Sequence, residues 1–136
     1  MQALVIREPD FNLDGWCLDD GEEINREYPD TFWIPDRKDR EGLQPGDFAK
    51  LIFRISVEND EEPVVVERMW VVVSKRLPGG YLGILDNDPD SIAENDSLWS
   101  GVEIPFQAHH VINIEAPDEQ SVALAASEPR TRWPNT

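Results

Sequence analysis

Between residues 48 and 57 the chain alternates. Ala49, Leu51, Phe53, Ile55 and Val57 are apolar, with Lys50, Arg54 and Ser56 between them. A period of two is the mark of a strand that buries one face. A second run, 64–75, is rich in Val and includes Met69 and Trp70. Branching at Cβ stiffens these side chains and favours a pleated strand over a helix. This run is apolar on both sides, so it is expected to be central or strongly bent around the core. Trp70 is read as core.

The remaining punctuation fits the same class. Leu77-Pro78-Gly79-Gly80 reads as a hairpin turn, with 81–86 as the return strand. A polar acidic loop follows over 87–100. Val102–Phe106 and Val111–Ile114 read as further strands. Only Gln107 to His110 separates them, too few residues for a crossover helix, so a one-turn helical link is expected. The predicted fold is mainly β, of α+β type. A bent antiparallel sheet closes into a small SH3-like partial barrel, which hides the sheet edges.

One or two short N-terminal helices are expected ahead of the sheet. Asp19 or Asp20 caps a helix over about 20–28, with Glu22 and Glu23 in its first turn and Pro29 as the stop. Asp36 and Gly42 bracket a second, over about 36–43. Gln44-Pro45-Gly46-Asp47 suits a type II turn. Residues 2–6 read as a short strand and 8–19 as loop. A chain of 136 residues fits one domain. That domain is assigned to 1–116, with 1–30 as an acidic extension packed on 31–116. Residues 117–136 are expected to be a weakly ordered tail.

Charge narrows the partner class. Lys and Arg number 12 against 28 Asp and Glu, a formal net charge of −16. Nucleic acid and anionic membrane both call for basic patches, so neither is an expected partner. A basic or cationic protein is. The acids concentrate in two blocks, residues 1–30 and 86–116, on either side of a nearly neutral centre. A single cysteine, Cys17, excludes an intramolecular disulfide and fits a reducing compartment. Met1–Asp10 lacks the basic and apolar regions of a signal peptide, and no stretch approaches 18 apolar residues. A cytoplasmic protein is expected.

Reactive constellations are sparse, and no catalytic residue, cofactor or metal is assigned. Asp86-Asn87-Asp88-Pro89-Asp90, followed by Glu94 and Asp96, begins like a calcium loop. It fails at the sixth position, Ser91, and at the twelfth, Ser97. A solvated loop capping its own turn amides is the plainer reading, and a partner surface the functional one. His109 and His110 are adjacent and make a poor chelating pair. Asp14, Asp19 and Asp20 surround Cys17 and oppose thiolate formation. No nucleophile elbow or phosphate-cradling loop occurs.

Glu67 and Arg68, in mid-strand, must reach solvent or find partners. A cross-strand pair, with Lys50 or Arg54 and with an Asp, is the structural reading. A ligand-facing group beside Trp70 is the alternative. Trp33 and Trp99 lie in loops, where each pins its loop or anchors a partner.

Several motifs recur together. These are Phe32-Trp33-Ile34-Pro35, Leu43-Gln44-Pro45-Gly46-Asp47, Lys50-Leu51-Ile52-Phe53 and Glu67-Arg68-Met69-Trp70-Val71. Tyr81-Leu82-Gly83-Ile84-Leu85-Asp86-Asn87-Asp88-Pro89 and Phe106-Gln107-Ala108-His109-His110-Val111 follow. Over about 30–114 this pattern resembles a family of small bacterial domains of unknown function, related to immunity proteins of polymorphic toxin systems. The resemblance implies a small β domain that neutralises a toxin by binding, and it carries over no catalytic residues. The expected function is therefore non-enzymatic binding of a basic protein. Asp86, Asp88, Asp90, Glu94, Trp99 and Trp33 are the candidate contacts. The alternative is a small-ligand-binding or hydrolytic domain with a cleft near Glu67, Arg68, Trp70, Asp86 and His109.

Overall fold

A computed structural model describes residues 6–91, 95 and 97–134. In chain order the elements are α1 (Phe11–Asp14), β1 (Trp16–Leu18), α2 (Gly21–Glu27), α3 (Arg37–Glu41), β2 (Phe48–Ser56), β3 (Val64–Leu77), β4 (Gly80–Leu85), β5 (Glu103–Phe106), a 3₁₀ turn (Ala108–His110), β6 (Asn113–Glu115) and α4 (Glu119–Ala125). One antiparallel sheet runs β1-β2-β3-β4-β5, and β6 shares β2 with β1. The sheet curls into a half-barrel, and the short helices lie around it. The expected strand at 2–6 lies largely outside the described residues. No helix among them is long and apolar enough to cross a membrane.

The alternation in β2 does what its period demands. Leu51, Phe53 and Ile55 are fully buried, while Arg54 and Ser56 face solvent. β3 is central, paired with β2 from Val64 to Val72 and with β4 from Val71 to Leu77. Its register shifts between Val73 and Lys75, which bends it. Buried Val71 and Val73 therefore share one core with Leu85, Ile104, Phe106 and Val111. Gly83 sits where β3 and β4 close on that core. A Cβ there would meet the Val72 carbonyl oxygen at 2.9 Å and Phe106 at 3.1 Å.

Trp70 departs from its reading as core. It is half-buried, edge-on to Phe48 at 6.3 Å, with Lys50 Nζ 5.5 Å from its ring centre. Period two places it opposite the buried face that Met69 and Val71 occupy.

α2 forms as its sequence dictates. The Asp20 side chain accepts from the Glu23 N–H at 3.1 Å, and Glu22 and Glu23 complement the helix dipole. α3 is a single turn, and Asp36 stands before it without making a side-chain cap. The ion pair Arg37–Glu41 at 2.6 Å spans the turn instead. Gly46 has φ 99°, as a type II turn requires at its third position, and Asp47 N–H donates to the Gln44 carbonyl at 3.0 Å.

Residues 8–19 hold more than the expected loop. Asp10 caps α1 through the Leu13 N–H at 2.9 Å, and Gly15 ends it at φ 80°. β1 then pairs onto Phe53–Ile55. The segment after 116, expected to be weakly ordered, carries α4. Asp118 Oδ1 accepts from Ser121 N–H at 2.7 Å, and Ser121 Oγ accepts from Asp118 N–H at 2.8 Å, a reciprocal capping box. Further on, Trp133 packs on buried Trp16 with ring centres 5.6 Å apart. Its indole N–H donates to the Arg7 carbonyl at 3.0 Å.

Phe106 and Trp33 mark the extremes of this packing, fully buried and 79% exposed. Phe106→Ala is expected to lower the unfolding free energy by about 3–5 kcal/mol. Trp33→Ala is expected to change it by less than about 0.5 kcal/mol. Urea denaturation of the two variants checks the contrast.

Candidate functional site

Two regions at opposite ends of β4 concentrate polar groups. At the Leu85 end the chain leaves the sheet still tied to it. Asp86 N–H donates to the Trp70 carbonyl at 3.0 Å, and Asn87 Oδ1 accepts from Trp70 N–H at 2.7 Å. The Asn87 side chain thus prolongs the ladder where no further strand residue pairs. Glu67 lies opposite Phe53 and reaches the same loop. Its carboxylate accepts from Asp90 N–H at 2.7 Å, Ser91 N–H at 3.3 Å and Ser91 Oγ–H at 2.6 Å.

Among the described residues, neither mid-strand charge makes the cross-strand ion pair expected of it. Glu67 is committed to loop amides, which satisfy a carboxylate at several points. Arg54 pairs with Asp19 at 2.9 Å. Arg68 lies over the Phe32 ring at 5.4 Å.

The far side of the loop is held equally firmly. Buried Asn95 donates to the Ser91 carbonyl at 3.1 Å and accepts from Ser97 and Leu98 N–H at 3.0 and 2.7 Å. Asp88 Oδ1 accepts from Ser100 N–H at 3.0 Å. Leu98 is fully buried and Trp99 packs against the core, so Trp99 pins the loop. Outside this frame Asp86, Asp88 and Asp90 are exposed. Burial and then the charge of Asp118 push the Asp86 carboxyl upward. Asp118 caps α4, so a sequence-distant acid joins the cluster. Among the described residues, no ion pair includes Asp86, Asp88, Asp90 or Asp118. Glu94 lies outside the described residues.

At the Gly80 end lies a cavity of about 520 Å³. Its frame is built on Arg40, which is 4% exposed. The guanidinium donates to the Pro35 carbonyl at 2.8 Å, to Glu22 Oε2 at 2.6 Å and to the Ala108 carbonyl at 2.8 Å. One side chain therefore ties α2, α3 and the 3₁₀ turn together. Tyr81 Oη–H donates to the Arg40 carbonyl at 2.7 Å and accepts from Leu43 N–H at 3.2 Å. Burial pushes the Tyr81 hydroxyl pKa up.

His109 lines this cavity, whereas Glu67, Arg68, Trp70 and Asp86 do not. The five residues of the alternative cleft are thus not brought together around it. The 3₁₀ turn sets the two histidine rings 4.0 Å apart. His110 Nδ1 accepts from Gln107 N–H at 3.0 Å. Burial, and then the neighbouring His109, lowers the His110 pKa to about 3. Gln107 and His110 form a reciprocal capping box about the turn, and Gln107 Oε1 is buried within it.

The Cys17 thiol is pushed up chiefly by burial, with Asp19 adding to the shift. Among the described residues no trio of His, Cys, Asp or Glu is arranged to hold a metal ion. Comparison with family models, curated proteins and solved structures finds no match.

A histidine whose folded pKa lies below its unfolded value near 6.5 destabilises the fold as pH falls. The unfolded chain takes up a proton below pH 6.5 that the native chain refuses until about pH 3. Wild type is therefore expected to lose stability across this window more steeply than His110→Asn, which retains an acceptor for Gln107 N–H. The difference in slope approaches about 1.4 kcal/mol per pH unit. Urea unfolding of both proteins from pH 7 to pH 5 measures it.

Proposed function

We propose that the chain is a non-enzymatic interaction domain that docks a basic protein on the acidic loop between β4 and β5. One observation carries this reading. Asp86, Asp88 and Asp90 are exposed on a loop fixed by Glu67 and Asn95, and Asp118 is held close enough to disturb Asp86. Like charges gathered without an internal counter-charge repel one another, and a cationic partner relieves that repulsion. The hydrogen bonds that hold Asp90 and Ser91 to Glu67 lower the ordering cost of binding at these residues. Trp33, exposed on the segment between α2 and α3, offers a separate aromatic contact.

The resemblance over 30–114 makes toxin neutralisation the first form of this reading to test, in a bacterial cytoplasm and without a cofactor. Binding by electrostatic complementarity acts mainly on the rate of encounter. Asp86→Asn, Asp88→Asn and Asp90→Asn combined should slow association with a basic partner by about tenfold at low salt. The difference should shrink as salt rises towards about 0.5 M, where screening is short-ranged. Affinity capture with wild type and the triple variant, followed by surface plasmon resonance on the captured protein, tests this. If wild type enriches no protein over the variant, the reading fails.

A further inference from the structure

β3 is paired more fully on one side than on the other. β2 pairs with Val64–Val72, whereas β4 pairs only from Val71 to Leu77. Successive residues of an antiparallel strand turn their N–H and C=O groups to opposite edges. The Pro63 carbonyl accepts from Val57 N–H at 2.9 Å, and Val73 N–H donates to the Asp47 carbonyl at 2.9 Å, so the odd-numbered residues face β2. Val64, Val66, Arg68 and Trp70 therefore face the other way. Trp70 is met there by Asp86 and Asn87. Among the described residues, none pairs with the outward backbone groups of Val64, Val66 or Arg68.

The remaining edges of the sheet are protected. β1 and β6 are each three residues long. On β5, Glu103 N–H donates to the Thr131 carbonyl at 2.9 Å, and Pro105 has no N–H to offer. Short edge strands, proline and covering segments all discourage the addition of a further strand. Among the described residues, none of these guards Val64–Arg68. Its outer face is apolar instead, with Val64 39% and Val66 51% exposed. The connection leading into it is acidic. Glu58, Asp60, Glu61 and Glu62 are exposed there, and no ion pair among the described residues includes them. Arg68, at the far end, lies over the Phe32 ring.

We propose that this edge accepts an extended segment of a partner protein as an added strand, with basic residues flanking an apolar centre. The segment's backbone pairs with Val64, Val66 and Arg68. Its apolar side chains lie beside Val64 and Val66, and its cations meet Glu61 and Glu62. A net charge of −16 on each copy opposes pairing with a second copy of this chain. The site needs no contact from Asp86, Asp88 or Asp90, so it stands or falls separately from the docking reading above.

Titrating the ¹⁵N-labelled protein with acetyl-Lys-Thr-Val-Thr-Val-Thr-Lys-amide tests the site. Saturable shifts are expected at the amides of Val64, Val66 and Arg68, with slower hydrogen exchange there. The same peptide N-methylated through its centre keeps its charge and side chains and loses its backbone donors. It should bind about tenfold more weakly. A peptide with Glu in place of Lys should also bind about tenfold more weakly. Val66→Pro removes an outward N–H and leaves the β2 ladder intact. It should weaken binding of the Lys peptide by about tenfold.

Absence of saturable shifts up to about 20 mM peptide overturns the proposal. So does equal affinity for the N-methylated peptide, a comparison made on the wild-type chain that decides even where Val66→Pro unfolds. Equal affinity for the Glu peptide, or undiminished binding by folded Val66→Pro, does the same. Dimers in sedimentation that Val66→Pro disperses would give the edge to a second copy and overturn the proposal too.

Discussion

The pairing of β2 with β3 is the constraint on which the rest of the molecule depends. It runs without interruption from Phe48 opposite Val72 to Ser56 opposite Val64. Because side chains alternate faces, one register fixes which residues are buried. A slip of one position would send Leu51, Phe53 and Ile55 to solvent. The opposite edge of β2 then carries β1 at Phe53–Ile55 and β6 at Phe48–Lys50. The bulge between Val73 and Lys75 turns β3 onto β4, and the sheet curls around a single core. Both polar regions are consequences of this geometry, since each is built where a strand ends and the ladder runs out of backbone partners.

Those ends are held by polar side chains that replace missing strand partners. Glu67 and Asn95 gather loop amides at one end of β4, and Arg40 and Tyr81 gather carbonyls at the other. Buried donors and acceptors are expensive to leave unmade, so each such group constrains the backbone it touches. The described residues of these loops are irregular in conformation yet tied to the sheet ends.

The strands were legible because their cause is local. Alternation in 48–57, the Val-rich run after 64 and the Pro-Gly-Gly turn are each sufficient for their element, and the same is true of the Asp20 cap. The misses have non-local causes. Trp16 and Leu18 offer a period of two across only three residues, too short to outweigh the Asp and Gly around them, and β1 exists because Phe53–Ile55 present an open edge. α4 had a readable signal, Asp118-x-x-Ser121, which the prolines nearby obscured. Trp133 gave none, since its partners are Trp16 and the Arg7 carbonyl, at the other end of the chain. The cavity is the least legible feature. Its walls come from α2, α3, the β3–β4 turn and the 3₁₀ turn, and only tertiary packing brings them together.

Folding also divides two acidic blocks that look alike in sequence. In the first, Asp14 binds Arg7, Asp19 binds Arg54 and Glu22 binds Arg40, while Asp10 and Asp20 cap helices. Much of that charge has structural work and a counter-ion, and its Coulomb energy is already satisfied within the fold. In the second block the paired atoms are backbone amides, as with Asp88 and Ser100, and among the described residues no cation answers Asp86, Asp88 or Asp90. Exposed pairs contribute little to stability, so pairing alone explains little of the fold. What pairing decides is the field outside it. A carboxylate beside a guanidinium projects a dipole that fades quickly, whereas uncompensated carboxylates project a monopole that reaches to the Debye length of about 8 Å at physiological salt. Asp86, Asp88 and Asp90 therefore act at a distance as one uncompensated group, and exposed Glu58, Asp60, Glu61 and Glu62 on the β2–β3 connection form another. Local clustering, rather than the total, is what a basic surface approaching the acidic loop would meet.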